Sequence, residues 1–219
     1  MLSNLQGGLM NTKFDFKKEY KSLYSSRQKP TLINIPPLNF IMIDGEGKPT
    51  GKIYQDAMQI LYSLTYTIKM SKKGTKLIDG YYEYVVPPLE GLWYLEDGKL
   101  DFNVDKNKWL WTSMIAQPDF VTKEVYNWAL EECKNKKPDL DFSKARFETF
   151  REGLCVQAMH IGPYDDEVRT IAKIDKFIKE NNLKNVTGNV RKHHEIYLSD
   201  PRRTMPDKLR TILRFPVEK

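Results

Sequence analysis

The chain has 219 residues and a formal net charge of +6, with 40% of residues hydrophobic and 12% aromatic. That composition suits one globular domain or two small halves sharing a core, and a charged fraction of 29% excludes wholesale disorder. No apolar run approaches transmembrane length, and the basic residues are spread along the chain rather than gathered in a nucleic-acid-binding arm.

Residues 1–11 read as a disordered tail or an expression scar, with Met10 as an alternative start. They lack the charged start and long apolar core of a signal peptide. A single domain is expected over 12–219. Residues 38–49 form a short apolar run that ends in the turn Asp44-Gly45-Glu46-Gly47. Ile53, Ala57, Ile60, Leu61, Leu64 and Ile68 then recur at spacings of three and four, which predicts a helix. Tyr81 to Pro88 is predicted as a strand with Glu83 near its centre, and Leu110 to Met114 as the strand that closes the unit.

A linking helix is expected over about 122–135, with Thr122 as its cap and Val125, Ala129 and Cys133 on one stripe. The same order of elements then returns. Residues 153–163 repeat the apolar run and Gly-containing turn, and Val168, Ile171, Ala172, Ile174 and Ile178 repeat the helical stripe. Residues 193–201 repeat the strand with a centred glutamate, here Glu195, and Leu209 to Leu213 repeat the closing strand. Strand, helix, strand, strand thus occurs twice, over about 30–118 and about 145–217. An α+β fold is expected, with antiparallel sheet, helices on one side and a ligand pocket between two pseudo-symmetric repeats.

Alternation along the second strand places His193, Glu195 and Tyr197 on one face, and His194, Ile196 and Leu198 on the other as core under a helix. The first repeat offers Tyr81 and Glu83 in the matching place, so either glutamate is a candidate functional carboxylate. Trp93, Trp109 and Trp111 lie near strand ends, where indoles serve as walls of half-wet sites. A carboxylate among aromatic faces suits planar or cationic ligands. His160, at a strand end before Ile161-Gly162-Pro163, is a further candidate for that pocket.

Other chemistries lack their residues. There is no HExxH or paired Cys/His spacing for a metal, no GxSxG elbow, and no cofactor motif. Lys69, Lys72, Lys73 and Lys76, like Lys134, Lys136 and Lys137, fall at predicted helix ends and complement the helix dipole. No direct nucleic-acid or membrane partner is therefore expected. Cys133 and Cys155 are isolated thiols and fit a reducing, cytoplasmic compartment.

Four segments in order resemble the GyrI-like small-molecule-binding family, also seen as the effector domain of multidrug-sensing transcription regulators. They are Met42 to Pro49, Leu61 to Thr67, Pro88-Leu89-Glu90-Gly91-Leu92-Trp93, and Glu195 to Arg203. The resemblance covers nearly everything after about Thr12. It implies the twofold strand–helix–two-strand fold, a pocket between the repeats, and Glu195 as the acidic residue that reads planar or cationic drugs. The stand-alone form with an EGLW segment resembles a subgroup that hydrolyses cyclopropanoid DNA-alkylating compounds. On that resemblance Glu195 activates water and Tyr197 donates to the substrate carbonyl, while Trp93, Trp111, Trp109, Glu83, Tyr81, His160 and His193 line the site. The alternatives are a non-catalytic drug-sequestering or sensing module and a gyrase-inhibitor-like factor that binds a protein. The sequence leaves the oligomeric state open.

Overall fold

A computed structural model describes residues 13–74, 76–98, 101–102 and 104–219, so the tail assigned to residues 1–11 lies outside the described residues. Strands β1 (Thr31–Ile35) and β2 (Leu38–Glu46) are followed by α1 (Lys52–Lys69), β3 (Leu89–Tyr94) and β4 (Leu110–Ala116). Helix α2 (Lys123–Lys136) and β5 (Ala145–Phe150) lead into β6 (Gly153–Ile161), α3 (Val168–Glu180), β7 (His193–Tyr197) and β8 (Arg210–Glu218). The sheet runs β1-β6-β8-β7-β3-β4-β2-β5, every pairing antiparallel, with Lys184–Asn185 paired to the end of β8. This is the expected α+β repeat architecture, and the two units meet where β7 pairs with β3.

The helices form for the reasons the spacing gives. α1 buries Ala57, Ile60, Leu61, Leu64 and Ile68 along one face. α2 starts at Thr122, whose side chain accepts from the Val125 amide at 3.3 Å. α3 buries Thr170, Ile174 and Ile178. No helix among the described residues is long and apolar enough to cross a membrane.

One strand lies elsewhere than expected. Between Tyr81 and Pro88 only Tyr84–Val85 are extended in a ladder, paired in parallel with Phe14–Asp15 outside the main sheet. The strand of the first repeat is Leu89–Tyr94 instead. Pro87 and Pro88 have no amide hydrogen to give, so the run before them cannot fill a central position with neighbours on both sides.

The connections force the sheet to curl. β1 and β2 are joined through Pro36 and Pro37 alone, and β5 and β6 through Arg151 and Glu152. Such a link reaches about 11 Å. A flat sheet would set its ends about 29 Å apart over six spacings of about 4.8 Å. The ends therefore fold toward each other around Ile35, Phe40, Met42, Leu92, Met114, Cys155, Met159, Ile196 and Ile212, and Phe16, Leu23 and Tyr24 fill the concavity. The outer face is covered by α1 and α2 over the first unit and by α3 over the second.

A buried charge network ties the N-terminal segment into the concavity. His194 lies between Glu90 and Glu152 at 3.0 Å from each, and Arg214 meets Glu152 at 3.1 Å. Tyr24 donates to Glu90 at 2.8 Å, Gln157 donates to the Ser22 carbonyl at 2.9 Å, and Arg214 donates to that of Leu23. The face holding His194 and Ile196 is thus lined by the N-terminal segment, and the face carrying Glu195 lies on the helical side. The expectation of a helix over His194 is reversed, because alternation separates two faces without saying which one helices cover.

Candidate functional site

Across the seam Glu195 stands directly opposite Gly91. Its row across the sheet reads Ala158, Leu213 and Glu195 in the second unit, then Gly91, Ser113 and Ile43 in the first. Matching the two halves strand by strand therefore equates Glu195 with Gly91 and Tyr197 with Trp93. Gly91 is required there by space. A Cβ at that position would sit 2.9 Å from Trp93 Nε1 and 3.2 Å from the Tyr197 hydroxyl.

A chain of hydrogen bonds fixes the carboxylate. Trp93 Nε1 donates to the Tyr197 hydroxyl at 2.7 Å, and that hydroxyl donates to Glu195 Oε2 at 2.7 Å. Glu195 Oε1 lies 3.2 Å from His193 Nε2. Glu195 is only 6% exposed, so these contacts replace most of its hydration. Burial, then the charge of Glu195, pushes the Tyr197 phenol well above its ordinary value, which keeps its proton in place.

A second carboxyl comes from the turn that leads into α3. Glu167 is buried and lies close enough to Glu195 for the two carboxyls to feel each other's charge. Burial raises its pKa well above the ordinary carboxyl range, and the Glu195 charge raises it further. Two neighbouring carboxyls away from water resist ionising together.

Aromatic side chains surround this pair. Tyr164 meets Tyr197 edge-on at 5.9 Å, and its phenol is pushed up to about 12 by burial and by Glu167 and Glu195. Tyr54 of α1 stacks on Trp93 at 6.0 Å and meets Trp111 edge-on at 5.0 Å. Trp111 is fully buried, donates to the Gly47 carbonyl at 3.2 Å, and occupies the space a Cβ on Gly45 would need. Trp109 packs edge-on against Trp93 at 5.5 Å. These tryptophans are buried, whereas Tyr54, Tyr164 and Tyr197 are more accessible.

The structure thus gathers Glu195, Tyr197, His193, Trp93, Trp109 and Trp111 around one seam. Three sequence candidates stand apart. Glu83 is ion-paired with Lys72, and Tyr81 donates to the Lys69 carbonyl at 2.8 Å while packing on Phe120. Both belong to the segment that is not part of the central sheet. His160 bonds Thr170 Oγ1 at 3.0 Å and the Pro163 carbonyl at 3.1 Å, so it braces the turn that carries Tyr164 and Glu167.

Tyr54, Tyr164 and Glu167 escaped the sequence reading. Tyr54 lies three residues before Ala57 on the buried stripe of α1, and Tyr164 and Glu167 are three apart after Gly162-Pro163. That spacing puts the latter two on one side of a helical turn, the only local signal they carry.

The sequence profile of the GyrI-like small molecule binding domain matches residues 28–218. The chain belongs to the GyrI-like family. This GyrI-like domain is 54% identical to an uncharacterized conserved protein from Listeria innocua, with a TM-score of 0.90 over 94% of this chain and all of that one. It is 50% identical to a hydrolase from Listeria innocua, with a TM-score of 0.87 over the same shares. The EcmrR C-terminal domain shares the fold at 13% identity and a TM-score of 0.55, over 87% of this chain and 97% of that one. No curated protein matches the chain.

Proposed function

We propose that this GyrI-like domain takes up flat aromatic or cationic small molecules at the aromatic site around Glu195 and hydrolyses cyclopropanoid genotoxins by opening the strained ring. The observation that carries the reading is the pair of buried carboxyls, Glu167 and Glu195, neighbouring each other among Tyr54, Tyr164, Tyr197 and Trp93. One carboxyl holds a proton and the other is free to take one, which sets an acid and a base side by side. Hydrolase relatives at 50% and 52% identity support a reaction of that general kind.

The proton inventory assigns the roles. The ligand is held against Tyr54, Tyr164 and Tyr197, with Trp93 and Trp111 behind them. Water attacks the cyclopropane carbon as Glu195 takes its proton. The ring carbon–carbon bond breaks, and its electron pair moves into the conjugated carbonyl, whose oxygen receives the proton of Glu167. The proton on Glu195 then returns to the neighbouring Glu167, and both carboxyls regain their starting states. Tyr197 is a poor donor for this step because its proton already serves Glu195 Oε2. It orients the base instead. Ring strain and positioning contribute the rest of the acceleration.

The test mixes the purified protein with a cyclopropanoid alkylator of the yatakemycin type and follows the ring-opened hydrate by mass spectrometry. Glu195→Gln is expected to lower turnover by about 10²- to 10⁴-fold, the range for a general base. Tryptophan quenching by the ligand should persist. Full turnover in Glu195→Gln would remove the base from the mechanism.

A binding module without chemistry is the second reading. The closed chain from Trp93 through Tyr197 to Glu195 favours it, since such a chain needs no reacting water. Quenching without any hydrate from the wild-type protein would decide for this reading.

A further inference from the structure

His193 is completely buried and cannot touch a ligand, yet it is hydrogen-bonded to the central carboxylate. Its Nδ1 lies 3.1 Å from the carbonyl oxygen of Arg214. A carbonyl only accepts, so Nδ1 carries a hydrogen whatever the charge of the ring. The other nitrogen, Nε2, faces Glu195 Oε1 at 3.2 Å. Two lone pairs cannot hydrogen-bond each other, so one proton lies between these two atoms. It belongs either to Nε2, giving an imidazolium beside a carboxylate, or to Oε1, giving a neutral pair.

We propose that the proton belongs to His193 Nε2, and that His193 is the positioning residue which keeps Glu195 ionised and aimed. This rests on the functional reading above. Two observations favour that location. The His193 ring lies against the Phe215 ring at 4.4 Å with an interplanar angle of 36°, and Phe102 meets it edge-on at 6.4 Å, so a ring face is available to a buried cation. Glu195 also receives the Tyr197 hydroxyl on Oε2. A carboxyl engaged by a donor on each oxygen is best satisfied as an anion. The titratable groups packed around it are Glu167 and Tyr164 from the turn before α3, Tyr54 from α1, and Tyr197 and His193 from its own strand. Among them His193 supplies the positive charge. Glu195 is thereby held by one bond on each oxygen, leaving the Glu167 side as the route for the proton it exchanges.

Nitrogen-15 shifts of the histidine side chains test the assignment without using turnover. The chain has only three histidines, His160, His193 and His194, and through-bond correlation to the backbone separates them. Both ring nitrogens of His193 are expected to be protonated in the wild-type protein near neutral pH. In Glu195→Gln the ring should revert to neutral, with Nε2 bare. A bare Nε2 in the wild type would overturn the proposal.

Kinetics of ring opening supply the second arm. His193→Leu should lower kcat by about 10- to 100-fold while leaving ligand affinity from tryptophan quenching unchanged, the effect of losing one hydrogen bond to a charged group. His193→Gln, which offers an N–H toward Glu195, should recover much of the loss. Wild-type kcat in His193→Leu would also overturn the proposal. If the wild-type protein opens no ring, the hydrolase reading fails and the nitrogen shifts alone decide the place of the proton.

Discussion

Glu195 gains its position from Gly91 as much as from its own strand. Two side chains directly opposed across an antiparallel pair compete for the same space on the sheet face. With no Cβ at Gly91, the Trp93 indole and the Tyr197 hydroxyl come together over that point and pass a hydrogen bond on to the carboxylate. Gly91→Ala would push both groups aside. The expected cost is about 1–3 kcal/mol, the range for overpacking a closely packed site. Urea unfolding measures it, and ligand affinity should fall in the same variant. Unchanged stability and affinity would mean that neighbouring side chains move at little cost. The period-2 alternation of β7 put His193, Glu195 and Tyr197 on one face directly from the residue order. Glu83 was the mistaken counterpart. The run from Tyr81 to Val86 is rich in strand-favouring side chains, but the prolines after it bar a central position.

Between elements, a buried electrostatic link lies behind the sheet. His194 joins β7 to Glu90 of β3 and to Glu152 in the link before β6, while Arg214 of β8 and Tyr24 of the N-terminal segment complete the network. Burial alone would lower the pKa of His194, but Glu152 and Glu90 outweigh it and raise the value from 6.5 to about 9. Burial alone would raise Glu152, but His194 and Arg214 outweigh it and bring the value from 4.5 to about 2. The signs then set a window. A raised histidine contributes stability that is complete below pH 6.5 and is lost as pH rises toward 9. A lowered carboxyl contributes stability that is complete above pH 4.5 and is lost as pH falls toward 2. Stability should therefore be greatest between about pH 4.5 and 6.5, and fall on the alkaline side by a contribution on the order of 3 kcal/mol. Urea unfolding from pH 6 to 10 checks this. His194→Gln should lose most of that alkaline slope, and an unchanged slope would place its source in other groups.

At the scale of the whole molecule, the two repeats exchange their outer strands. β1 opens the first unit in sequence but pairs with β6 of the second, and β5 opens the second but pairs with β2 of the first. The curled core draws on both units and on the N-terminal segment. Neither half can bury its inner face alone, so separate fragments 13–144 and 145–219 should show no cooperative unfolding. Mixing them should restore the near-ultraviolet signal of packed aromatics. A cooperative transition in either fragment would show that half to be self-sufficient.

The sequence by itself determined the repeated order of elements, the apolar stripes of α1 and α3, the cap at Thr122, and the face on which Glu195 stands. Each is a local property, set by the 3.6-residue or two-residue period and by the side chain beside a helix end. Only the tertiary structure decided which face the helices cover, that Gly91 opposes Glu195, and that Glu167 from the start of α3 meets Glu195 on β7. These depend on strand pairing and curvature between residues far apart in the chain. Local periodicity assigns a side chain to one face of its element, but the groups it meets there come from other elements and are fixed only when the sheet closes.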